Sequence, residues 1–156
     1  MQQATQTSQS NEPNFVAFRV ADQEYCVDIM SVREIRGWTP VTTLPQAPDS
    51  VLGVINLRGS VVPILDFSVR LGLKSQNPTV DNVIIIVQVD SQTIGLLVDE
   101  VSEILSIEDD AIKPTPEVTY EGSEAFITGV ITFDSRMIRL VDLSFIVLAC
   151  PQPAPR

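Results

Sequence analysis

Side chains that could carry out catalysis are scarce in this sequence. It contains no histidine, so the commonest general base and the usual nitrogen ligand for a metal ion are both missing. The adjacent acid pairs include Asp99-Glu100 and Asp109-Asp110; in so acidic a chain they are more simply solvated turn and cap residues than calcium or magnesium ligands. No glycine-rich nucleotide loop and no Gly-x-Ser-x-Gly motif is present. We therefore predict a binding module with no enzymatic activity, no metal site and no cofactor.

The two cysteines, Cys26 and Cys150, show none of the spacing that marks a metal site or a disulfide scaffold. The first residues are rich in Gln, Ser and Thr, and they lack the basic and apolar regions of an export signal. We therefore expect a cytoplasmic protein in which both thiols stay reduced and serve as small buried hydrophobic groups.

Composition and charge narrow the class of partner. The chain has 156 residues, of which 44% are apolar and 19% charged, as in a globular domain, and no apolar run is long enough to cross a bilayer. Its net charge of −10 argues against nucleic acid and against anionic membrane surfaces, since both require a cationic face. The composition predicts no direct membrane insertion and favours a protein partner with basic patches.

The segment from Gly53 to Asp66 has the pattern of a complete β-hairpin. Two apolar runs flank Arg58-Gly59, and glycine supplies the positive φ that a tight two-residue loop requires. Arg58 is therefore predicted at the tip. Pro63 cannot donate a ladder hydrogen bond, so its strand should lie at an edge or beside a bulge.

Helix signals follow this hairpin directly. Asp66 can accept hydrogen bonds from the free amides of a short helix that begins at Phe67. Gly72 can end that helix in a left-handed conformation.

The sequence of this hairpin occurs a second time in the chain. Residues 129–144 align with residues 53–68 without a gap, and Asp134-Ser135 takes the place of Arg58-Gly59 at the turn. The upstream segments also align without a gap: Val20, Gln23, Val32, Glu34 and Ile35 fall opposite Val89, Gln92, Val101, Glu103 and Ile104. Two matches in the same order indicate a duplicated unit of roughly 70 residues.

The remaining pattern predicts an all-β fold. Alternating or continuous apolar runs predict strands over 15–20, 24–27, 83–89, 93–98 and 101–107, and Asp142 caps a final apolar helix over 143–148. Each unit thus has about five strands, and closure into two small barrels around a shared core, with a groove between them, would protect their edges. We predict a disordered tail over 1–14, barrel subdomains over 15–80 and 81–148, and a loose tail over 149–156.

Three motifs give the sequence a family resemblance. Glu34-Ile35-Arg36-Gly37, then Asn56-Leu57-Arg58-Gly59, then Val62-Pro63-Ile64-Leu65-Asp66 resemble the CheW family of chemotaxis coupling proteins, and the resemblance spans residues 15–148. It implies two SH3-like five-stranded β-barrels about a common core. It also implies an adaptor that joins the cytoplasmic tip of methyl-accepting chemotaxis receptors to the regulatory domain of the histidine kinase CheA, recruited to membrane receptor arrays.

The resemblance also implies two sets of contact residues. The receptor-facing set is Val32, Glu34, Ile35, Gly53, Arg58, Val101 and Ile104. The kinase-facing set is Val83, Ile84 and Ile85, with a second contact near Lys113, Glu117 and Val118, where the loop diverges from the family pattern.

Simpler interpretations of these residues remain open. Val32, Ile35, Val101 and Ile104 could be core residues, and Arg58 could be a solvated turn arginine or could pair with Glu34. A small barrel that binds a small ligand is the alternative function. A deep polar pocket inside either barrel would favour that alternative, whereas an apolar groove between the barrels with Arg58 at its rim would favour the adaptor.

Overall fold

Eleven strands and two short helices make up the computed structural model, which describes residues 14–72, 78–108, 111–114, 127–133 and 135–148. The strands are β1 (Asn14–Val20), β2 (Gln23–Asp28), β3 (Val32–Gly37), β4 (Val51–Leu57), β5 (Ser60–Asp66), β6 (Val83–Val89), β7 (Gln92–Val98), β8 (Glu100–Ser106), β9 (Ile112–Pro114), β10 (Ile127–Phe133) and β11 (Arg136–Val141). The helices are α1 (Phe67–Arg70) and α2 (Leu143–Leu148), and a 3-10 turn over Ile29–Ser31 joins β2 to β3. The predicted terminal tails lie outside the described residues, except that β1 begins at Asn14.

The strands form two mixed sheets, which confirms the all-β class. The order in one sheet is β8-β1-β2-β11-β10-β9, and the order in the other is β3-β6-β7-β5-β4. The first unit has the predicted five strands, β1 to β5, and the second unit has six, because the short strand β9 adds one at the edge of the first sheet. In the second sheet the corresponding segment contributes only an isolated bridge from Thr42 to Val54.

The two sheets exchange their hairpins. Strands β1 and β2 join β8 to β11, while β6 and β7 join β3 to β5. The division of the chain at residue 80 is therefore not a division between sheets, since each sheet takes strands from both sides of that point. Each copy of the repeat completes the sheet of the other copy.

Strand registers bear out the repeat itself. The ladder of β4 with β5 shifts register between Val51 and Gly53, and the ladder of β10 with β11 shifts between Ile127 and Gly129, at the aligned positions. In both sheets the second strand of that hairpin pairs in parallel with a strand from the other copy, β5 with β7 and β11 with β2. The duplication is thus visible in backbone pairing as well as in residue types.

Three apolar clusters hold this arrangement together. The largest contains residues from both sheets, and in it Phe18 and Tyr25 of β1 and β2 pack edge-on against Phe67 of α1 at 5.3 and 5.2 Å between ring centres. Each sheet also has a cluster of its own. Strand β6 shows why its sequence is continuously apolar: Ile85 faces the shared cluster while Ile84 and Ile86 face the cluster of the five-stranded sheet.

Local turn and cap chemistry follows the sequence closely. The Asp66 carboxylate accepts from the Ser68 amide at 3.0 Å, and in the second copy Asp142 accepts from the Ser144 amide at 2.9 Å. Gly72 ends α1 at a φ of 87°.

Pro63 lies beside a bulge, one of the two predicted alternatives, and not on an edge strand. Its strand β5 is an interior strand rather than an edge, and pairing with β7 begins one residue later, at Ile64. The proline is tolerated because it precedes that parallel ladder, beside the register shift in β4.

Candidate protein-binding site

The turn between β4 and β5 presents Arg58 to solvent. Arg58 and Gly59 both have positive φ, 52° and 88°, the conformation of a two-residue turn that matches the twist of its strands. The Asn56 side chain accepts from the Gly59 amide at 3.0 Å, which explains the Asn in the Asn-Leu-Arg-Gly motif. The Arg58 side chain is 72% exposed.

Glu34 on β3 orients this arginine. Its carboxylate accepts from Arg58 Nη2 at 2.9 Å and from Arg36 Nη1 at 3.2 Å, so the Glu34–Arg58 pair that the sequence left open is present. The hydrogen bond from Arg58, with the charges of both arginines, lowers the pKa of Glu34 below its ordinary value, although partial burial opposes the shift. The pair links edge strand β3 to the turn beside β4 at the opposite end of the strand order.

The apolar members of the receptor-facing set lie on the two edge strands, β3 and β8. Ile35 is 43% exposed and Ile104 is 62% exposed, so neither is a core residue. Val32 and Val101 are half-buried and pack against the shared cluster. The structure therefore leaves Ile35 and Ile104 available to a partner and gives Val32 and Val101 a packing role as well.

Gly53 is buried and serves a backbone contact. A Cβ at this position would lie 2.4 Å from the Thr42 carbonyl oxygen. The close approach lets Thr42 and Val54 exchange two backbone hydrogen bonds, at 2.9 and 2.8 Å. Gly53 thus positions the segment beside β4 and offers no side chain to a partner.

Arg58 lies at a groove of about 370 Å³ on the five-stranded sheet. The groove is lined by polar side chains, Arg33, Arg58, Ser60, Gln88 and Thr93, and by apolar ones, Leu57, Val62 and Ile86. This groove lies within one sheet, because all of these residues belong to strands β3 to β7 or to the β4–β5 turn, although its residues come from both copies of the repeat.

A second cavity lies where the two sheets meet. It measures about 280 Å³ and is lined by Phe15, Asp28, Ser31, Val89, Thr128, Leu140, Val141, Asp142, Leu143 and Ser144. Of these residues only Val89 comes from the five-stranded sheet. Asp28 and Asp142 already accept from the backbone amides of Met30 and Ser144, as caps do.

The predicted kinase-facing strand is mostly interior. Ile84 and Ile85 are 0% exposed, so their side chains have no free surface for a docking partner in this structure. Strand β6 is enclosed in this way because it has sheet neighbours on both edges and apolar clusters on both faces. Val83, at the end of the strand, is half-buried.

The second predicted kinase contact is only partly described. Lys113 is exposed on β9, which pairs with β10 at the edge of the six-stranded sheet. Glu117 and Val118 lie outside the described residues.

Sequence reasoning missed one ionic network. Arg136, at the start of β11, donates to both carboxylate oxygens of Glu24 at 2.6 to 3.2 Å and to Glu103 at 3.0 Å. The guanidinium side chain is 31% exposed, and these hydrogen bonds, chiefly the one to Glu24, raise its pKa above the usual arginine value. The signal that could have found it is the repeat, since Glu103 aligns with Glu34, which also binds an arginine.

The described ranges hold no group of three acidic or cysteine side chains suited to a metal ion. Cys26 is buried, and desolvation raises the pKa of its thiol to about 12, as expected for a packing residue. Across the same ranges no helix has the length and hydropathy to span a membrane. Cys150 is not among the described residues.

Comparison with known proteins gives consistent results. Residues 14–149 match the CheW-like domain family. The chain is 59% identical to Chemotaxis protein CheW of Rhizobium meliloti over 128 residues, which cover 82% of this chain and 83% of that protein. It is 50% identical to Probable chemotaxis protein CheW of Rhizobium etli over 143 residues, which cover 92% of each.

A solved structure is similar over the same region. The crystal structure of scaffolding protein TtCheW from Thermoanaerobacter tengcongensis has a TM-score of 0.77 and 35% sequence identity, and the match covers 83% of this chain and 88% of that one. Sequence and fold thus agree over most of the chain, and the chain belongs to the CheW-like domain family.

Proposed function

We propose that this chain is a chemotaxis adaptor that couples the cytoplasmic tips of methyl-accepting receptors to the regulatory domain of the kinase CheA. Membership of the CheW-like domain family supports the adaptor role, and so does the likeness to a protein described as a scaffold. In this proposal the two sheets act as two SH3-like barrels around their shared cluster, and the protein is recruited from the cytoplasm to membrane receptor arrays.

The observation that carries the receptor role is the Glu34–Arg58 pair. It holds an exposed guanidinium beside edge strand β3, where Ile35 also has free apolar surface. A fixed charge next to an apolar side chain is an arrangement that interfaces use for specificity and affinity together. Ile104 supplies a similar apolar position on edge strand β8.

The kinase-facing side rests on Val83 and, at the second contact, on Lys113, Glu117 and Val118. Only Val83 and Lys113 are described and have exposed surface. A partner at Val83 would cover the exposed end of β6, while Ile84 and Ile85 support that surface from inside.

The proposed mechanism uses geometry alone. By binding receptor and kinase together, the adaptor lets a small receptor shift change the kinase population in its active state, which requires no turnover by the adaptor. ATP hydrolysis or phosphate transfer by the purified chain without kinase would contradict this mechanism.

A pull-down with two baits tests the proposal. A receptor tip fragment and a CheA regulatory domain should each retain the chain. Arg58→Asp should lose the receptor bait and keep the kinase bait, since it reverses the charge of the tip. Val83→Glu should do the opposite, because a charge in a desolvated apolar contact opposes binding.

A melting curve for each variant separates lost binding from lost folding. If a variant melts like the unaltered chain but binds neither bait, the substituted residue is not specific to the receptor or to the kinase, and its proposed role is contradicted. Failure of the unaltered chain to bind either bait would overturn the proposed function.

The small-ligand alternative has less support. The cluster belonging to each sheet is filled by its own buried apolar side chains, such as Ile131 and Ile138 in one sheet and Ile64 and Ile84 in the other. Small barrels packed in this way fill their interiors largely with side chains, and the groove beside Arg58 lies against this packing, since Leu57, Val62 and Ile86 line it.

A further inference from the structure

The groove on the five-stranded sheet lies where the six-stranded sheet has an arginine. By the repeat, Ser60 aligns with Arg136 and Thr93 aligns with Glu24, and both Ser60 and Thr93 line the groove. In the six-stranded sheet Arg136 spans this region and binds Glu24 and Glu103. Short side chains at the two aligned positions leave the region open in the five-stranded sheet.

The charges of the two regions are opposite. In the six-stranded sheet two carboxylates surround one guanidinium. In the five-stranded sheet one of those carboxylates is replaced by Thr93, and the other, Glu34, is already bonded to Arg58 and Arg36. Arg33 adds a further guanidinium at the groove, where its Nε donates to the neutral Gln88 side chain at 2.9 Å.

The groove is thus a cationic site on an anionic protein. Two arginines line it, and no acidic side chain is found among its lining residues in the described part of the chain, although the whole chain carries a net charge of −10. A partner that presents a carboxylate here meets the guanidinium of Arg33, the guanidinium of Arg58, which it shares with Glu34, and the hydroxyls of Ser60 and Thr93. Averaged over the whole chain, the net charge of −10 repels the same carboxylate.

We propose that this groove takes an acidic side chain, a glutamate or aspartate, from the receptor tip that Arg58 contacts. Arg33 and Arg58 hold the carboxylate from two sides, and Ser60 and Thr93 complete its hydrogen bonding. This inference rests on the proposed receptor role and adds to it the chemistry of the receptor group and a second arginine, Arg33, that determines specificity.

One variant fills the groove without removing either arginine. Ser60→Arg combined with Thr93→Glu copies the six-stranded sheet and keeps the net charge constant. The new arginine should bind the new glutamate and occupy the space meant for the partner. Affinity for a receptor tip fragment, measured by calorimetry with the full chain, should fall tenfold or more while the melting temperature is maintained.

A second pair of variants changes the charge of Arg33 and leaves the groove unfilled. Arg33→Glu should reduce receptor affinity more than Arg33→Gln does, because it places like charges together. The matched control is Arg19→Gln, which removes one exposed arginine from the position on β1 that aligns with Gln88. This control should bind like the unaltered chain. A receptor fragment in which the contacting acid is replaced by Lys should recover affinity for Arg33→Glu.

The outcomes separate this inference from the proposed function. Unaltered affinity of the filled variant overturns the inference, and so does unaltered affinity of Arg33→Glu, which supplies the test if the filled variant does not fold. A loss of affinity confined to a CheA fragment also overturns it. Failure of the unaltered chain to bind the receptor fragment overturns the proposed function and this inference with it.

Discussion

The two sheets use arginine at the same corner in different ways. In the five-stranded sheet Arg58 lies at the tip of the turn, has a side chain that is 72% exposed, and bonds to Glu34. In the six-stranded sheet the arginine is Arg136, two positions past the residue aligned with Arg58, and its side chain is 31% exposed. It bonds to Glu24 and Glu103, on two strands that flank β1.

The difference shows how a duplicated frame acquires two roles. The glutamate on the edge strand is retained in both sheets, as Glu34 and as Glu103. What changes is the position of its arginine partner. Arg136 joins Glu103 on the edge strand to Glu24 on β2, whereas Arg58 binds Glu34 from an exposed turn. One corner therefore braces two strands internally, and the other is the corner to which the proposed function assigns recognition.

The largest difference that we expect concerns two aligned glycines. A Cβ at Gly53 would lie 2.4 Å from the Thr42 carbonyl oxygen, and one at Gly129 would lie 2.9 Å from the Lys113 carbonyl oxygen. Backbone atoms cannot move aside as a flexible side chain can, so Gly53→Ala should lower the free energy of unfolding by about 3 kcal/mol. Gly129→Ala should cost about 1–2 kcal/mol.

Denaturant unfolding of both variants measures this difference. Equal losses of unfolding free energy would show that the segments at Thr42 and Lys113 pack equally tightly against the two glycines. In that case the bridge at Thr42 would be no tighter than the β9 ladder.

A somewhat smaller effect is expected inside the five-stranded sheet. Gly95 aligns with Cys26 of the other sheet, but a Cβ at Gly95 would lie 2.6 Å from Ile64 Cδ1. Gly95→Ala should therefore cost about 2 kcal/mol by overpacking. Ile64→Val removes that methyl group, so the double variant should be more stable than Gly95→Ala alone.

A double-mutant cycle on unfolding free energies tests this coupling. Additive losses would indicate that the backbone near Gly95, and not Ile64, limits the space. The matched change Cys26→Ala in the six-stranded sheet should show no coupling of this kind to Leu140, the residue aligned with Ile64.

The third prediction compares the two arginines directly. Arg136→Gln should lower the free energy of unfolding by about 1–2 kcal/mol, because it breaks charged hydrogen bonds to two strands. Arg58→Gln should change it by no more than about 0.5 kcal/mol, since an exposed ion pair contributes little. Receptor affinity should show the reverse order, with the larger loss for Arg58→Gln.

Melting and receptor binding measured on the same two proteins decide the matter. A stability loss at Arg58 equal to that at Arg136 would make both arginines structural. An affinity loss at Arg136 equal to that at Arg58 would contradict the division of roles.

Sequence patterns predicted what is local in this fold and missed what is not. The turn at Arg58-Gly59, the caps at Asp66 and Asp142, and the aligned hairpins depend on residues close together in the chain. The exchange of hairpins between sheets was not predictable, because a strand has the same apolar pattern whichever sheet it joins. For the same reason the continuous apolar run at Val83–Val89 predicted burial of both faces of the strand but did not show which part of the protein covers each face.

The candidate site shows the same limit. Pairing of Glu34 with Arg58 was one of the interpretations that the sequence left open, and the structure shows the pair. The Arg136 network joins residues from β2, β8 and β11, so no local motif contains it. Ile84 and Ile85 were grouped with Val83 from the sequence, and sequence proximity does not show which of these side chains reach the surface.

The smallest expected effect is the pH dependence of the exposed pair. Because hydrogen bonding to Arg58 lowers the pKa of Glu34, the unfolded chain takes up a proton at this residue before the folded chain does as pH falls. The stability that Glu34 supplies is therefore fully present above the ordinary glutamate pKa of about 4.3. It is lost as pH falls from there through the lower pKa of the folded state.

Comparison of the unaltered chain with Glu34→Gln isolates this contribution. The difference in unfolding free energy between the two proteins should be constant from pH 8 to pH 5 and should shrink below that range. The chain has no histidine, so no imidazole changes its charge in the constant region. A difference that changed between pH 8 and pH 6 would mean that Glu34 is coupled to a group other than Arg58 and Arg36, and the exposed corner would then not be the simple ion pair described above.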